Sequence, residues 1–167
     1  MITRALAFTL ASILAASATA CGTKSEAAGS GSADVPSAAD TFAERSEREV
    51  DDALAAAKDR ARREGKHVLL EFVAPWCADC REVAKIARQE PAASVLREKY
   101  VVVPVNVGRF DRHKALLQEH GVKVIAALVV LDADGNRLAR TTLEPISKKD
   151  TLTPEELAAW LRSPSGS

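Results

Sequence analysis

The sequence predicts an α/β domain built around a mixed sheet, and three observations carry that prediction. Short runs rich in β-branched residues, His67–Val73, Tyr100–Asn106 and Ala127–Leu131, alternate with longer amphipathic stretches. The last run passes through the turn sequence Asp132-Ala133-Asp134-Gly135 into a further strand-like segment, residues 136–142, as a hairpin does. Cys77 and Cys80, separated by Ala78-Asp79, stand where the first strand hands over to a helix. Alternation implies parallel pairing through right-handed crossovers, and the closing hairpin adds an antiparallel edge.

The first twenty residues read as an export signal and not as part of the fold. Arg4 supplies a positive start, residues 5–16 a short apolar core, and Ala18-Thr19-Ala20 a small-residue cleavage pattern. That core is shorter than the ~20 residues a membrane-spanning helix needs. The run Ala18-Thr19-Ala20-Cys21 resembles the lipobox of bacterial lipoproteins, whose cysteine is acylated and becomes the mature N-terminus. Such motifs usually carry Leu where this chain has Ala18, so cleavage after Ala20 with a free thiol on Cys21 is the alternative. A linker follows: thirteen of residues 22–39 are Gly, Ser, Ala or Pro without apolar periodicity, which predicts a flexible coil. A coil of that length reaches on the order of 20–25 Å. The expected organisation is therefore a signal at 1–20, Cys21 and linker at 21–40, one domain at 41–162 and a disordered tail at 163–167.

Within the domain, Ser46 and Glu49 form a capping-box pattern for a helix over residues 46–64, with Val50, Leu54, Ala57 and Ala61 on one face and Gly65 as the stop. A strand at His67–Val73 precedes a helix that starts at the cysteine motif and ends before Pro91. A shorter helix then runs to about Lys99, and the strand Tyr100–Asn106 follows it. Asp111 is expected to cap a helix that ends at Gly121. Thr153-Pro154-Glu155-Glu156 combines an N-cap, Pro at the first helical position and Glu at the third; Leu157, Trp160 and Leu161 form the apolar face of that last helix.

Composition excludes some functions. Without Arg4 the chain carries 22 basic and 23 acidic side chains (23 and 23 in full), so there is no excess charge for nucleic acid. The Asp-rich turn lacks most calcium-ligand positions and the closing Glu. Zinc needs four ligands, and neither Cys21 nor His67, His113 and His120 stand at ligand spacing; Arg81 occupies the place of the His that haem attachment requires. No metal and no organic cofactor is expected, and the histidines are expected at the surface or at strand ends. A structural disulfide across two residues would constrain little of the unfolded chain. Reversible dithiol–disulfide chemistry at Cys77 and Cys80 is the leading expectation.

The element order and the cysteine motif together resemble the thioredoxin fold. The similarity is strongest at Gly65-Lys66-His67-Val68-Leu69-Leu70-Glu71-Phe72, Trp76-Cys77-Ala78-Asp79-Cys80 and Leu128-Val129-Val130-Leu131-Asp132-Ala133-Asp134-Gly135. With Val105-Asn106-Val107-Gly108-Arg109-Phe110-Asp111, the chain looks like exported bacterial thiol:disulfide interchange proteins, including the periplasmic C-terminal domain of the transmembrane reductase. The resemblance implies a three-layer α/β/α sandwich with a mixed central sheet and an extra N-terminal helix. It also implies Cys77 as nucleophile, since unsatisfied N–H groups and partial positive charge at a helix N-terminus lower a thiol pKa. Cys80, in line with Val83, Ala84 and Ala87, faces the core and would resolve the mixed disulfide; exposed Asp79 opposes thiolate formation modestly. Glu71 stands where the family carries a buried Asp and is the implied general base, its pKa raised by burial.

Trp76 is expected to pack beside the motif. Opposite the cysteines the family has a cis-proline, and here Ala126 occupies its place. A cis bond costs about 2.5–4 kcal/mol before a non-proline residue, against about 0.5–1 before proline. A trans Ile125–Ala126 bond is therefore expected, with weaker or altered substrate recognition around Trp76, Ile125 and Ala126. The implied activity is an exported, lipid-anchored, monomeric thiol:disulfide oxidoreductase on the periplasmic or cell-surface side. It would act on protein or small-molecule disulfides in the reducing or isomerising direction, be re-reduced by a membrane thiol reductase, and use its own Cys77–Cys80 disulfide as redox centre. Two alternatives stay open: a copper or zinc carrier using both thiols as soft ligands, and a non-catalytic interaction protein on the same fold.

Overall fold

The structure, a computed structural model, describes residues 35–142 and 151–166. The export signal, Cys21 and the linker up to residue 34 lie outside the described residues. The first helix, α1 (Ala38–Thr41), begins inside the stretch whose composition reads as linker; Ser37 caps it, accepting from the Asp40 N–H at 3.1 Å. Val35 packs against the core ahead of it. One cap and one apolar side chain suffice for a single turn, and a count of small residues does not register them.

The next helix, α2 (Glu47–Glu64), starts at the expected capping box: Ser46 Oγ accepts from Glu49 N at 3.3 Å and Glu49 Oε2 accepts from Ser46 N at 2.7 Å. Gly65 ends it in the left-handed region at φ 67°, where a side chain would be strained. Strand β1 (His67–Val73) follows, then α3 (Ala78–Ile86), α4 (Ala92–Lys99), β2 (Tyr100–Asn106), α5 (Lys114–Glu119), β3 (Ala127–Leu131), β4 (Arg137–Thr142) and α6 (Pro154–Arg162). Thr153 caps α6 through a second capping box. Beyond α6, the Ser165 carbonyl accepts from Trp160 Nε1 at 2.9 Å in the segment expected to be a disordered tail.

The strands form one sheet in the order β2-β1-β3-β4. Only β1 and β2 are parallel; β3 runs antiparallel to β1, and β4 antiparallel to β3. The expected parallel pairing thus stops after the first crossover. Register gives the reason. Val73 pairs with Asn106 at the end of β2, and Phe72 pairs with Ala127 at the start of β3. The connection from β2 to β3 therefore begins and ends at one end of the sheet, and β3 must run back. At the other end the hairpin turn closes as expected, with Asp132 Oδ1 accepting from the N–H groups of Asp134 (2.9 Å) and Asn136 (2.8 Å).

Helix α5 differs from its expected form. Asp111 does not cap it: its Oδ1 accepts from Arg109 N at 2.8 Å, which spends the carboxylate on a local turn. The N-cap is His113 in the left-handed region at φ 52°, with its N–H donating to Glu47 Oε1 at 2.6 Å. His113 and His120 are also buried (1% and 3% exposed) and not at the surface. His113 Nδ1 lies 3.2 Å from Glu47 Oε2, and His120 meets the Phe72 ring at 6.3 Å, while the buried Nε2 of each has no hydrogen-bond partner among the described residues. Burial holds the His120 pKa below its ordinary value, so its neutral form fits the core.

Tyr100, 1% exposed, ties the start of β2 to the end of α6 by donating to the Leu161 carbonyl at 2.6 Å, and burial pushes its phenol up to about 12. Tyr100→Phe is expected to cost about 1–2 kcal/mol, because it removes the donor to a buried carbonyl. Urea unfolding measures this, and an unchanged midpoint would show the bond to be dispensable.

Candidate active site

Three chain segments meet at the end of the sheet where β1 and β2 finish and β3 begins. The first is the turn from β1 into α3. Cys77 N donates to the Ala74 carbonyl at 3.1 Å, and Cys77 is itself the N-cap of α3, its Sγ accepting from Cys80 N at 3.1 Å. A sulfur in the capping position takes one of the N–H groups a helix start leaves unsatisfied. Cys77 and Cys80 are joined in a disulfide with Cα atoms 5.3 Å apart, within the ordinary range for such a bond. Cys77 is 6% exposed and Cys80 fully buried.

The second segment follows β2. Val107 N donates to the Val73 carbonyl at 2.9 Å, and Trp76 Nε1 donates to the Gly108 carbonyl at 2.8 Å. Trp76 is half exposed (51%), so it is a surface ring hydrogen-bonded beside the motif and not a core residue. Gly108 adopts φ 59°, and a Cβ there would run into the Asp111 carboxylate. The third segment enters β3. Val124 is exposed, Ile125 half-buried and Ala126 buried. The Ile125–Ala126 peptide is cis, not trans as the intrinsic cost implied. That cost describes an isolated peptide; here the bond leads from a partly exposed loop into the wholly buried strand β3.

On β1, the strand that leads into the cysteine turn, Glu71 is 5% exposed and every residue from Val68 onward is buried. Side chains of a strand alternate between faces. Leu69 and Glu71 share a cavity of about 20 Å3 with Val83 and Ala84 of α3 and with Ala87 and Arg88 in the turn just after it, while Phe72 meets His120. Room for a single water molecule requires a volume of that order. Positions 80, 83, 84 and 87 form one helical stripe, so Cys80 sits about one turn, roughly 5.4 Å of rise, from the cavity wall. Glu71 Oε1 has no hydrogen-bond partner among the described residues. Burial raises its pKa from the ordinary 4.5 to about 7, with Arg88 acting in the opposite direction.

Arg88 is not among the site residues that the sequence predicts: it lies in the turn beyond α3, where no helical stripe places it. Among the described residues no group of three or more His, Cys, Asp or Glu converges as a metal site, and no helix is long and apolar enough to cross a membrane.

A sheet of this topology with a Cys-x-x-C pair capping the helix after its central strand defines a thioredoxin-fold protein. The family model described as thioredoxin-like matches residues 49–133, just over half of the chain, and the chain belongs to that family. It is 35% identical over 89 residues to the thiol:disulfide interchange protein DsbD of Neisseria meningitidis, which covers 51% of this chain and 15% of that protein. It is 44% identical over 59 residues to the protein disulfide isomerase-like 2-1 of Oryza sativa, covering 35% of this chain and 15% of that protein. The chain thus spans about 15% of the length of these curated relatives. A crystal structure of a disulphide isomerase from Xylella fastidiosa Temecula1 superposes with a TM-score of 0.61 at 28% identity, covering 72% of this chain and 93% of that one.

A buried carboxyl whose pKa is raised from 4.5 to about 7 links stability to pH. Its contribution is fully present below about 4.5 and is lost as pH rises through 7. Glu71→Gln has no such loss. The stability gap between variant and wild type, both oxidised, should move in favour of the variant by on the order of 3 kcal/mol from pH 4 to pH 8. Chemical denaturation across that range measures it, and a pH-independent gap would mean that Glu71 does not titrate in the folded state near neutrality.

Proposed function

We propose that the protein is an exported thiol:disulfide oxidoreductase that works through Cys77 and Cys80 in the reducing or isomerising direction. The observation that carries this reading is the disulfide at the N-terminus of α3, with Cys80 fully buried on the helical stripe that walls the Glu71 cavity. In the reduced protein, the helix terminus favours negative charge on Cys77. The Cys77 thiolate attacks one sulfur of a substrate disulfide; a mixed disulfide forms and the other substrate sulfur leaves as a thiolate. Cys80 then gives its proton to Glu71, directly or through one water, and attacks the Cys77 sulfur. That step closes the Cys77–Cys80 bond, releases the second substrate thiol and completes the transfer of two electrons to the substrate.

Glu71 suits the proton transfer because a base with a pKa near 7 is half ready at neutral pH, whereas an ordinary carboxylate is too weak. Exposed Trp76 and half-buried Ile125, beside buried Ala126, mark the surface on which protein or small-molecule disulfides would lie. Re-reduction needs a two-electron donor, a membrane thiol reductase in an exporting bacterium. Arg4, the apolar residues 5–16 and the Ala18-Thr19-Ala20-Cys21 run support export to the periplasmic or cell-surface side with acylation at Cys21. The names of the relatives, interchange and isomerase proteins, support the direction.

Cys80→Ser in the full chain, expressed in an exporting bacterial host, is expected to accumulate mixed disulfides through Cys77, identified by mass spectrometry. Cys77→Ser is expected to accumulate none. Absence of adducts on the first variant, together with stoichiometric copper or zinc on the wild type, would instead make the cysteines a metal carrier's ligands.

A further inference from the structure

The cavity around Glu71 has one wall that the sheet and the main helices do not supply. Val35 and Pro36, from the start of the described chain, and Thr41, the last residue of α1, line it directly. The segment is held in place at several points. Ser37 caps α1; the Thr41 hydroxyl, on a residue 2% exposed, donates to the Ser37 carbonyl at 2.8 Å. Asn106 Nδ2, at the end of β2, donates to the Phe42 carbonyl at 2.8 Å. Arg45 reaches both the Asp40 carbonyl (3.4 Å) and the Pro104 carbonyl on β2 (3.3 Å).

We propose that residues 35–41 are a positioning segment for Glu71, a plug that closes the cavity over its carboxyl and keeps bulk water away. The charged surroundings leave little else to set the behaviour of the group. From the turn after α3 the cavity receives Arg88, a cation that favours the carboxylate; β1, β2, β3, α4 and α6 contribute only apolar side chains besides Glu71 itself. Glu71 Oε1 has no partner among the described residues, so its ionisation depends on whether solvent can reach it. With the plug seated, the carboxyl keeps its proton to about 7; with the plug lifted and water admitted, it should revert toward 4.5. The consequence for catalysis rests on the functional reading above, in which Glu71 takes the Cys80 proton. The plug itself does not depend on that reading.

The test uses the full oxidised chain with 13C-labelled glutamate, and Glu71→Gln to assign the Glu71 carboxyl signal. Its titration is compared between wild type and Val35→Gly/Pro36→Gly, with near-UV circular dichroism to confirm folding. The expected result is a fall in proton affinity of tenfold or more in the variant. A folded variant that keeps the wild-type midpoint overturns the proposal, as would one whose only change is a lower unfolding midpoint, the mark of a merely structural segment. Should the double variant fail to fold, Val35→Ser carries the same expectation with at least a threefold fall, and no movement there overturns it equally. Thiol exchange is read in parallel. If the Glu71 titration moves while release of mixed disulfides by Cys80 keeps its pH profile, the plug stands and the assignment of Glu71 as base falls.

Discussion

A single carboxyl on a strand buried along almost its whole length is the constraint around which this molecule is organised. Strand β1 is paired on both edges, by β2 and β3, and from Val68 to Val73 nothing in it is exposed. A charge in such a place is costly without a partner, and proteins usually answer by neutralising the group. Here Glu71 is neutralised by protonation up to about 7, with Arg88 near enough to moderate the shift and not to abolish it. The same strand that buries Glu71 runs on into the turn that sets Cys77 at the helix start. A stability liability and a disulfide pair are thus parts of one continuous stretch of chain, and the proposal of Glu71 as proton acceptor for Cys80 starts from that continuity.

Topology supplies the rest of the site. Because β3 runs back along β1, the loops after β1 and β2 and the loop before β3 collect at one end of the sheet. Trp76 bridges two of them through Gly108. The loop after β2 carries two non-glycine residues in the left-handed region, Phe110 at φ 62° and His113 at φ 52°. Such conformations are uncommon and persist where neighbouring structure fixes them; at His113 the fixing contact is Glu47 at the start of α2.

Much of this was legible in the sequence, for identifiable reasons. β1, β2 and β3 have the residues expected of them because each is a compact apolar run between breakers, and α2 and α6 start where their capping boxes begin. Glu71 is marked by the resemblance, which places it where the family carries a buried Asp, six residues ahead of Cys77. What escaped depends on contacts across the chain. Asp111 looks like a cap until Arg109 claims its carboxylate, and His113 and His120 look polar until Glu47 and Phe72 pack against them. The turn at α1 is hidden in small residues, and no local pattern in the sequence marks the cis peptide before Ala126. Arg88 shows its relation to Glu71 only once α3 lies on the sheet.

The central claim is that Glu71 serves the second thiol and not the first. Stopped-flow reaction of the reduced protein with a disulfide peptide resolves formation of the mixed disulfide from its release, and Glu71→Leu separates the two roles. The account predicts that release slows by about 10²-fold or more, the scale of a lost general base, while formation stays within about twofold. Equal slowing of both steps, or an unchanged release rate, would contradict it.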